Sequence, residues 1–157
     1  NKEYLIDLSG DVIVREAKLF FDSIIKTLVP KSSYKTIKDH QFQGHKVILL
    51  SAALEILVDL WKEEMETEEG IGTKVETKDG IFTGRIIGEQ PFGQGKKIWL
   101  SELQKKEKLN LAKCYGYGDH YSDRFFLEQV GHPVAVNSAK KLKEYARKKN
   151  WLIVDSL

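Results

Sequence analysis

Cysteine is nearly absent: Cys114 is the only one in the 157 residues. No internal disulfide can form, and the chain fits a reducing, cytoplasmic compartment. An excess of charge of one sign is missing too. Lys and Arg number 25 against 23 Asp and Glu, a formal net charge of +2, too small to argue for nucleic acid or an anionic membrane as partner. No apolar run approaches the roughly 18–20 residues of a membrane span, and no signal peptide opens the chain. Repeats and low-complexity stretches are absent. What is present, 41% hydrophobic and 31% charged residues, is an ordinary globular composition, long enough for one domain with a real core. The first residue is Asn1 rather than methionine, which predicts that sequence is missing upstream.

Helices and strands alternate along the chain. Val12, Ala17, Leu19, Phe20, Ile24 and Leu28 recur at roughly helical spacing over 11–28, and Pro30 ends that segment. Ser32 or Ser33 would cap a second short helix reaching His40, closed by Gly44. KVILL, 46–50, reads as a strand, and Ser51 then opens a helix through Leu54, Leu57, Val58 and Trp61. The acidic run after it, Glu63 to Glu69, reads as a solvated helix end and loop. KVETKDGIFTGRIIG, 74–88, gives two alternating runs about Asp79-Gly80, a hairpin signature. Beyond it come a helix over 96–106, a strand over 111–115 and a helix over 122–130. A strand over 133–136, a helix over 138–149 and a strand over 151–154 complete the series. Such alternation implies a mostly parallel sheet with helices on its faces.

Three of these elements end in residues that chemistry can use. Asp119 and Asp123 stand four apart, just after an apolar run that reads as a buried strand. Carboxylates leaving the carboxyl ends of parallel strands sit where open α/β sheets bind ligands, and two on one turn make a hard oxygen pocket suited to Mg²⁺. Ser51 caps a helix directly after a strand, which makes it either an ordinary N-cap or, with the following amides, an anion site. Lys96 opens the helix after Gly93-Gln94-Gly95, with Lys97 as the competing choice. The two aspartates alone also read as turn and cap residues. Together, Ser, Lys and two Asp in that order describe an anion pocket with a divalent cation.

The order and spacing resemble the haloacid dehalogenase-like phosphohydrolase superfamily, in particular its phosphoserine-phosphatase-like branch. ILLSAALEILV is similar to the family's second motif and GQGKKIWLSEL to its third. YGYGDHYSDRFFLEQVGHPVAVNSAKKLKEYARKKNWLIV is similar to the last motif over nearly its whole length. KVETKDGIFTGRIIGEQPFGQGK and TLVPKSSYKTIKDHQFQGHKVILLSA follow the same branch, so the resemblance covers almost the entire chain. It implies a Rossmann-like α/β core, with a mostly parallel sheet flanked by helices, a partial helical cap and a β-hairpin.

The resemblance also implies a reaction. An aspartate attacks a small phosphate monoester, and water hydrolyses the aspartyl-phosphate, while Mg²⁺ and a lysine neutralise charge on the transferring group. It assigns Ser51 to a phosphoryl oxygen, with the Ala52 backbone N–H beside it. Lys96 is assigned to the phosphate and the nucleophile's carboxylate; it is preferred to Lys97 because Leu100 falls in the family's place four residues later. Asp119 is assigned as direct Mg²⁺ ligand, Asp123 as support for the metal or its waters, and Asn137 to the rim or strand-end geometry.

Two departures stand out. His120, in GDHYSD, occupies a place usually held by Ser; its ring would donate a hydrogen bond, titrate near neutrality or point outward, the outward reading being preferred. The family's first motif, DxDGT, is not found. YLIDLSGDV places Asp7, Ser9 and Gly10 in the positions of D, D and G, making Asp7 the candidate nucleophile of a degenerate motif over 4–12. The preferred alternative reads 1–30 as a remnant of the helical cap and 31–157 as the α/β core. The first core strand is then missing or replaced, and its neighbours become open edges that invite pairing with another chain. An altered sheet, a partner strand from a homo-oligomer, or strand use of 4–8 is expected.

Other chemistries fall away. GYGDHY lacks the third glycine of a dinucleotide fingerprint, and receiver domains carry their acidic cluster at the chain's start. The basic stretch from Lys140 to Lys149 carries Leu142, Tyr145 and Ala146 and reads as a solvated helix face. Two functions remain: a Mg²⁺-dependent phosphatase of small phosphate monoesters, or a non-catalytic remnant serving binding or assembly.

Overall fold

A computed structural model describes residues 2–155 of the chain. It divides into two compact units, Asn1–Pro91 and Phe92–Leu157.

The first unit builds a three-stranded sheet and packs helices on it. Helix α1 (Gly10–Phe20) runs on through a π-helical stretch (Phe21–Ile25) into the single turn α2 (Lys26–Leu28), and Pro30 starts α3 (Lys31–Phe42). Strand β1 (Ile48–Leu54) leads into α4 (Glu55–Met65), which is followed by β2 (Glu69–Lys78) and β3 (Ile81–Ile87). The strand order is β1-β2-β3, with β1 parallel to β2 and β2 antiparallel to β3. The expected hairpin is there: Asp79 and Gly80 take φ of 49° and 78°, the pair of positive values that a two-residue primed turn demands. Leu5, Phe21, Val58, Met65, Ile71 and Phe82 form the buried apolar set. Phe21 meets Trp61 edge to face at 4.7 Å, which seats the α1–α2 segment on α4.

Several boundaries move, each for a local reason. Ser51 does not cap a helix: it lies within β1, and α4 begins at Glu55 with Leu54 as its uncapped N-terminal neighbour. Pairing with β2 resumes past Ser51, where Leu54 sits opposite Thr73 after an irregularity, and Thr73 Oγ1 donates to Ala52 O at 2.8 Å. The acidic run is less solvated than its composition suggests. Lys26 pairs with Glu64 at 2.6 Å, and the Val47 N–H donates to Glu68 Oε2 at 2.8 Å.

Strand use of 4–8, one of the three outcomes expected for the missing first strand, does not occur. Glu3–Leu5 is a short 3-10 turn, and Asp7, with φ of 64°, turns the chain onto the outer side of β3. There the Asp7 N–H donates to Phe82 O at 3.1 Å, Phe82 N–H to Leu8 O at 2.9 Å, and Gly10 N–H to Gly80 O at 2.7 Å. The segment therefore adds to the β3 side of the sheet and leaves β1 as its open edge among the described residues.

The second unit is wholly parallel. Helix α5 (Gln94–Glu107) precedes β4 (Tyr115–Gly118), then α6 (Arg124–Leu127), β5 (His132–Val136), α7 (Lys140–Lys148) and β6 (Leu152–Val154). The strands run in the order β4-β5-β6, all parallel. Leu127, Ala135, Leu142 and Ala146, fully buried, make the core, with Phe126, Trp151 and Ile153 packed against it. β4 starts later than the apolar run at 111–115 suggests. Leu111–Lys113 forms a 3-10 turn because the Asn110 side chain accepts from Ala112 N–H at 3.2 Å, the local bonding by which Asn competes with extended structure. α6 is shorter than expected, since Gly131 N–H must reach back to Leu111 O, at 2.8 Å.

Candidate active site

In the second unit the candidate residues gather beyond the carboxyl end of β4. Gly118 ends that strand and Asp119 follows it, exposed. The chain then turns through Tyr121–Asp123, so that Asp123 folds back under the loop and is only 2% exposed. Asp123 Oδ2 accepts the backbone N–H groups of Asp119 at 3.2 Å and His120 at 3.1 Å. Its Oδ1 takes Lys96 Nζ at 2.7 Å, a pair whose side chains are 15% and 3% exposed. The buried carboxylate is thus held by three donors, as a charge removed from water requires. Lys96 reaches it from the first turn of α5 and lies 5.4 Å from the Phe126 ring centroid. Lys97, the competing choice, is exposed.

Gly118 is a condition of this arrangement. A Cβ there would stand 2.8 Å from Asp123 Cβ and 3.0 Å from Oδ2, so any side chain would push the carboxylate out of its seat. His120 keeps outward, and its ring closes on its own turn. Its Nδ1 accepts the Ser122 N–H at 3.2 Å and lies 2.8 Å from Ser122 Oγ. Asn137, with φ of 41°, stands at the end of β5, and the next residues join the same corner: Ala139 N–H donates to Asp119 O at 3.3 Å.

Sequence reading missed three features of this corner. Arg124 lies over two rings, 4.1 Å from the Tyr121 centroid and 3.8 Å from that of Phe125, and donates to Tyr121 O at 3.0 Å. Phe126 floors Lys96, and Ser138 Oγ is buried without a hydrogen-bond partner among the described residues. The signal for the first two was the aromatic pair in DRFF directly after Asp123. Ser138 carried none. The lone thiol, Cys114, is pushed up from its usual range by burial, away from the thiolate form that makes a cysteine nucleophilic.

Ser51, Ala52 and Asp7 belong to the first unit. Ser51 Oγ accepts the Ala53 N–H at 3.2 Å, a turn-like contact at the irregularity in β1. Asp7 is not beside it. It is bonded to the outer side of β3, with β3 and β2 between it and β1 in the strand order.

The donor chemistry suits Mg²⁺ better than a softer ion. Asp119 offers an exposed carboxylate, whereas Asp123 is committed to Lys96 and two amides and would reach a cation only through water. Mg²⁺ keeps much of its water and binds through one or two carboxylates. Among the described residues no three His, Cys, Asp or Glu side chains form a group that could hold a metal ion. No helix of the described residues is long and apolar enough to cross a membrane.

Comparison with known proteins agrees with this fold and these motifs. Residues 2–128 match the family model for haloacid dehalogenase-like hydrolases. Phosphoserine phosphatase SerB1 of Mycobacterium tuberculosis is 34% identical over 135 residues, 86% of this chain and 44% of that protein. A phosphoserine phosphatase of Methanocaldococcus jannaschii is 28% identical over 126 residues, 80% of this chain and 60% of that one. A protein of unknown function from Bordetella pertussis superposes with a TM-score of 0.89 at 24% identity, over 98% of this chain and 70% of that one. A phospho-aspartyl intermediate analogue of phosphoserine phosphatase gives 0.73 at 23% identity, over 98% and 68%; at such identities the likeness speaks for the fold alone. The chain spans less than half the length of the M. tuberculosis relative. On the family model, which matches residues 2–128, the chain belongs to the haloacid dehalogenase-like hydrolases.

Proposed function

We propose that this chain serves the Mg²⁺-dependent hydrolysis of small phosphate monoesters through an aspartyl-phosphate. The observation that carries the reading is the buried Lys96–Asp123 pair beside the exposed Asp119 at the end of a parallel strand. Lys96 is held by Asp123 with its ammonium partly open, ready to take a phosphoryl oxygen; a fixed cation there lowers the barrier as charge develops. Asp119 is the direct metal ligand in this reading, and Asp123 supports it from behind. When bound, Mg²⁺ supplies further charge neutralisation of the phosphoryl group. The buried Ser138 hydroxyl adds a polar group beside Asn137. Ser51 and the Ala52 N–H are assigned to a phosphoryl oxygen, Asp7 is the candidate nucleophile of a degenerate first motif at 4–12, and residues 1–30 are otherwise a cap remnant.

A second reading, a non-catalytic module for binding or assembly, is favoured by one observation: Asp7 sits on the far side of its sheet from Ser51. Phosphate release from p-nitrophenyl phosphate, with Mg²⁺ and with EDTA, separates the two. Catalysis predicts turnover that EDTA stops and that Asp119→Asn lowers by at least ~10², the scale on which loss of a catalytic group is felt. Asp7→Asn then tests the nucleophile. No turnover by the folded chain leaves the binding module. The outer positions of β1 and β4 in the strand order of the described residues belong to the same reading, because an edge strand templates another strand. Sedimentation equilibrium is expected to show concentration-dependent self-association; a monomer at every concentration sinks that part.

A further inference from the structure

His40 and His45 meet far from the acidic corner in sequence, and their two Nδ1 atoms are 2.9 Å apart, the ring centroids 5.2 Å apart. The backbone makes this pair. α3 ends at Phe42, Gly44 takes φ of 75°, and its N–H donates to Gln41 O at 2.9 Å. His45 N–H then donates to His40 O at 3.0 Å, which folds the second ring back against the first. A half-buried and an exposed imidazole thus face each other through their Nδ1 atoms.

We infer that His40 and His45 form a two-imidazole site for a borderline divalent transition metal such as Zn²⁺, Ni²⁺ or Cu²⁺, held by their two Nδ1 atoms. Bonds of ~2.0–2.1 Å to imidazole place two neighbouring ligands about 2.9 Å apart in a square plane and about 3.4 Å apart in a tetrahedron. The observed separation already matches the first and reaches the second by a small ring rotation. Asp39, the nearest carboxylate along the helix, is paired with Lys35 at 2.5 Å, so water completes the shell. Imidazole nitrogens select against Mg²⁺, and this site is independent of the phosphatase reading. A bound ion would staple the end of α3 to the approach to β1.

The intact chain is titrated with Ni²⁺ and Zn²⁺ by calorimetry, and Cu²⁺ is followed by electron paramagnetic resonance. One ion per chain is expected, with two nitrogen couplings in the Cu²⁺ spectrum and a melting temperature that rises with Zn²⁺. His45→Gln changes an exposed side chain and keeps the fold. It and His40→Gln should each weaken binding by at least ~10-fold, no less than the loss of an outer-shell partner costs. His120→Gln and His132→Gln should bind as the parent does. Binding unchanged in both His40→Gln and His45→Gln, or lost in either control, overturns the site, as does no binding at millimolar metal.

Discussion

Lys96→Met is expected to cost the folded chain about 3–5 kcal/mol, the penalty for breaking a buried ion pair by removing one partner. Methionine keeps the apolar stem against Phe126 and deletes the charge, so little packing is lost with it. What it leaves is Asp123, 2% exposed, with two backbone N–H donors and no cation. Urea midpoints measure the change. Lys97→Met is the internal control: Lys97 is exposed, and substitutions away from buried features stay within about 0.5 kcal/mol. Equal effects of the two variants would mean that Lys96 is not the structural partner of Asp123 in solution. Adding Asp123→Leu to Lys96→Met should not restore stability. The usual gain from replacing a buried pair with apolar residues is cancelled by the two N–H groups of Asp119 and His120, which then lose their acceptor. The same variant should also lose phosphate binding, because Lys96 is the proposed phosphoryl contact.

The second large effect is at Gly131. An alanine Cβ there would stand 1.8 Å from Ala112 O, 2.5 Å from its carbonyl carbon and 3.0 Å from its Cα. All three are backbone atoms, so no rotamer change can relieve the clash. The segment that must move carries Gly131 N–H to Leu111 O at 2.8 Å and His132 N–H to Cys114 O at 3.0 Å. Those bonds start the β4–β5 register at Tyr115 opposite His132. Gly131→Ala is therefore expected to lose at least ~3 kcal/mol, the upper part of the overpacking range, with a lowered midpoint in urea. Ala112→Gly in the same chain should give no rescue, since the contacts do not involve its side chain. A loss under about 0.5 kcal/mol would mean that the loop before β4 adapts freely.

How legible the molecule was differs by element. The Asp79-Gly80 hairpin, the Pro30 break and the helix over 140–148 were written in local chemistry, where turn residues and periodic apolar positions act within a few bonds. β4 and α6 were misplaced because their ends depend on Asn110 capping its own turn and on Gly131 reaching Leu111 O, neither of which is a periodic signal. Strand use of 4–8 was one way to fill the place of the missing first strand, yet Asp7 turns the segment onto β3; β propensity states only that a residue fits a pleated surface, and not which surface. Ser51 looked like a helix cap because an apolar run preceded it. Pairing of Leu54 with Thr73 carried the strand past it.

The candidate site divides in the same way. Asp119, Asp123 and Lys96 were found as residue types in an order that suits phosphate and a hard cation, because such chemistry needs those groups whatever holds them. The sequence by itself determined the family, the alternation of helix and strand, and which side chains carry charge to the end of β4. Only the tertiary structure decided that Asp123 faces inward to Lys96 while Asp119 stays exposed, that Gly118 leaves room for that carboxylate, and that Asp7 lies across a sheet from Ser51. These are contacts between residues distant along the chain, and they exist because burying a charge is tolerable only where its partners have already been brought to it.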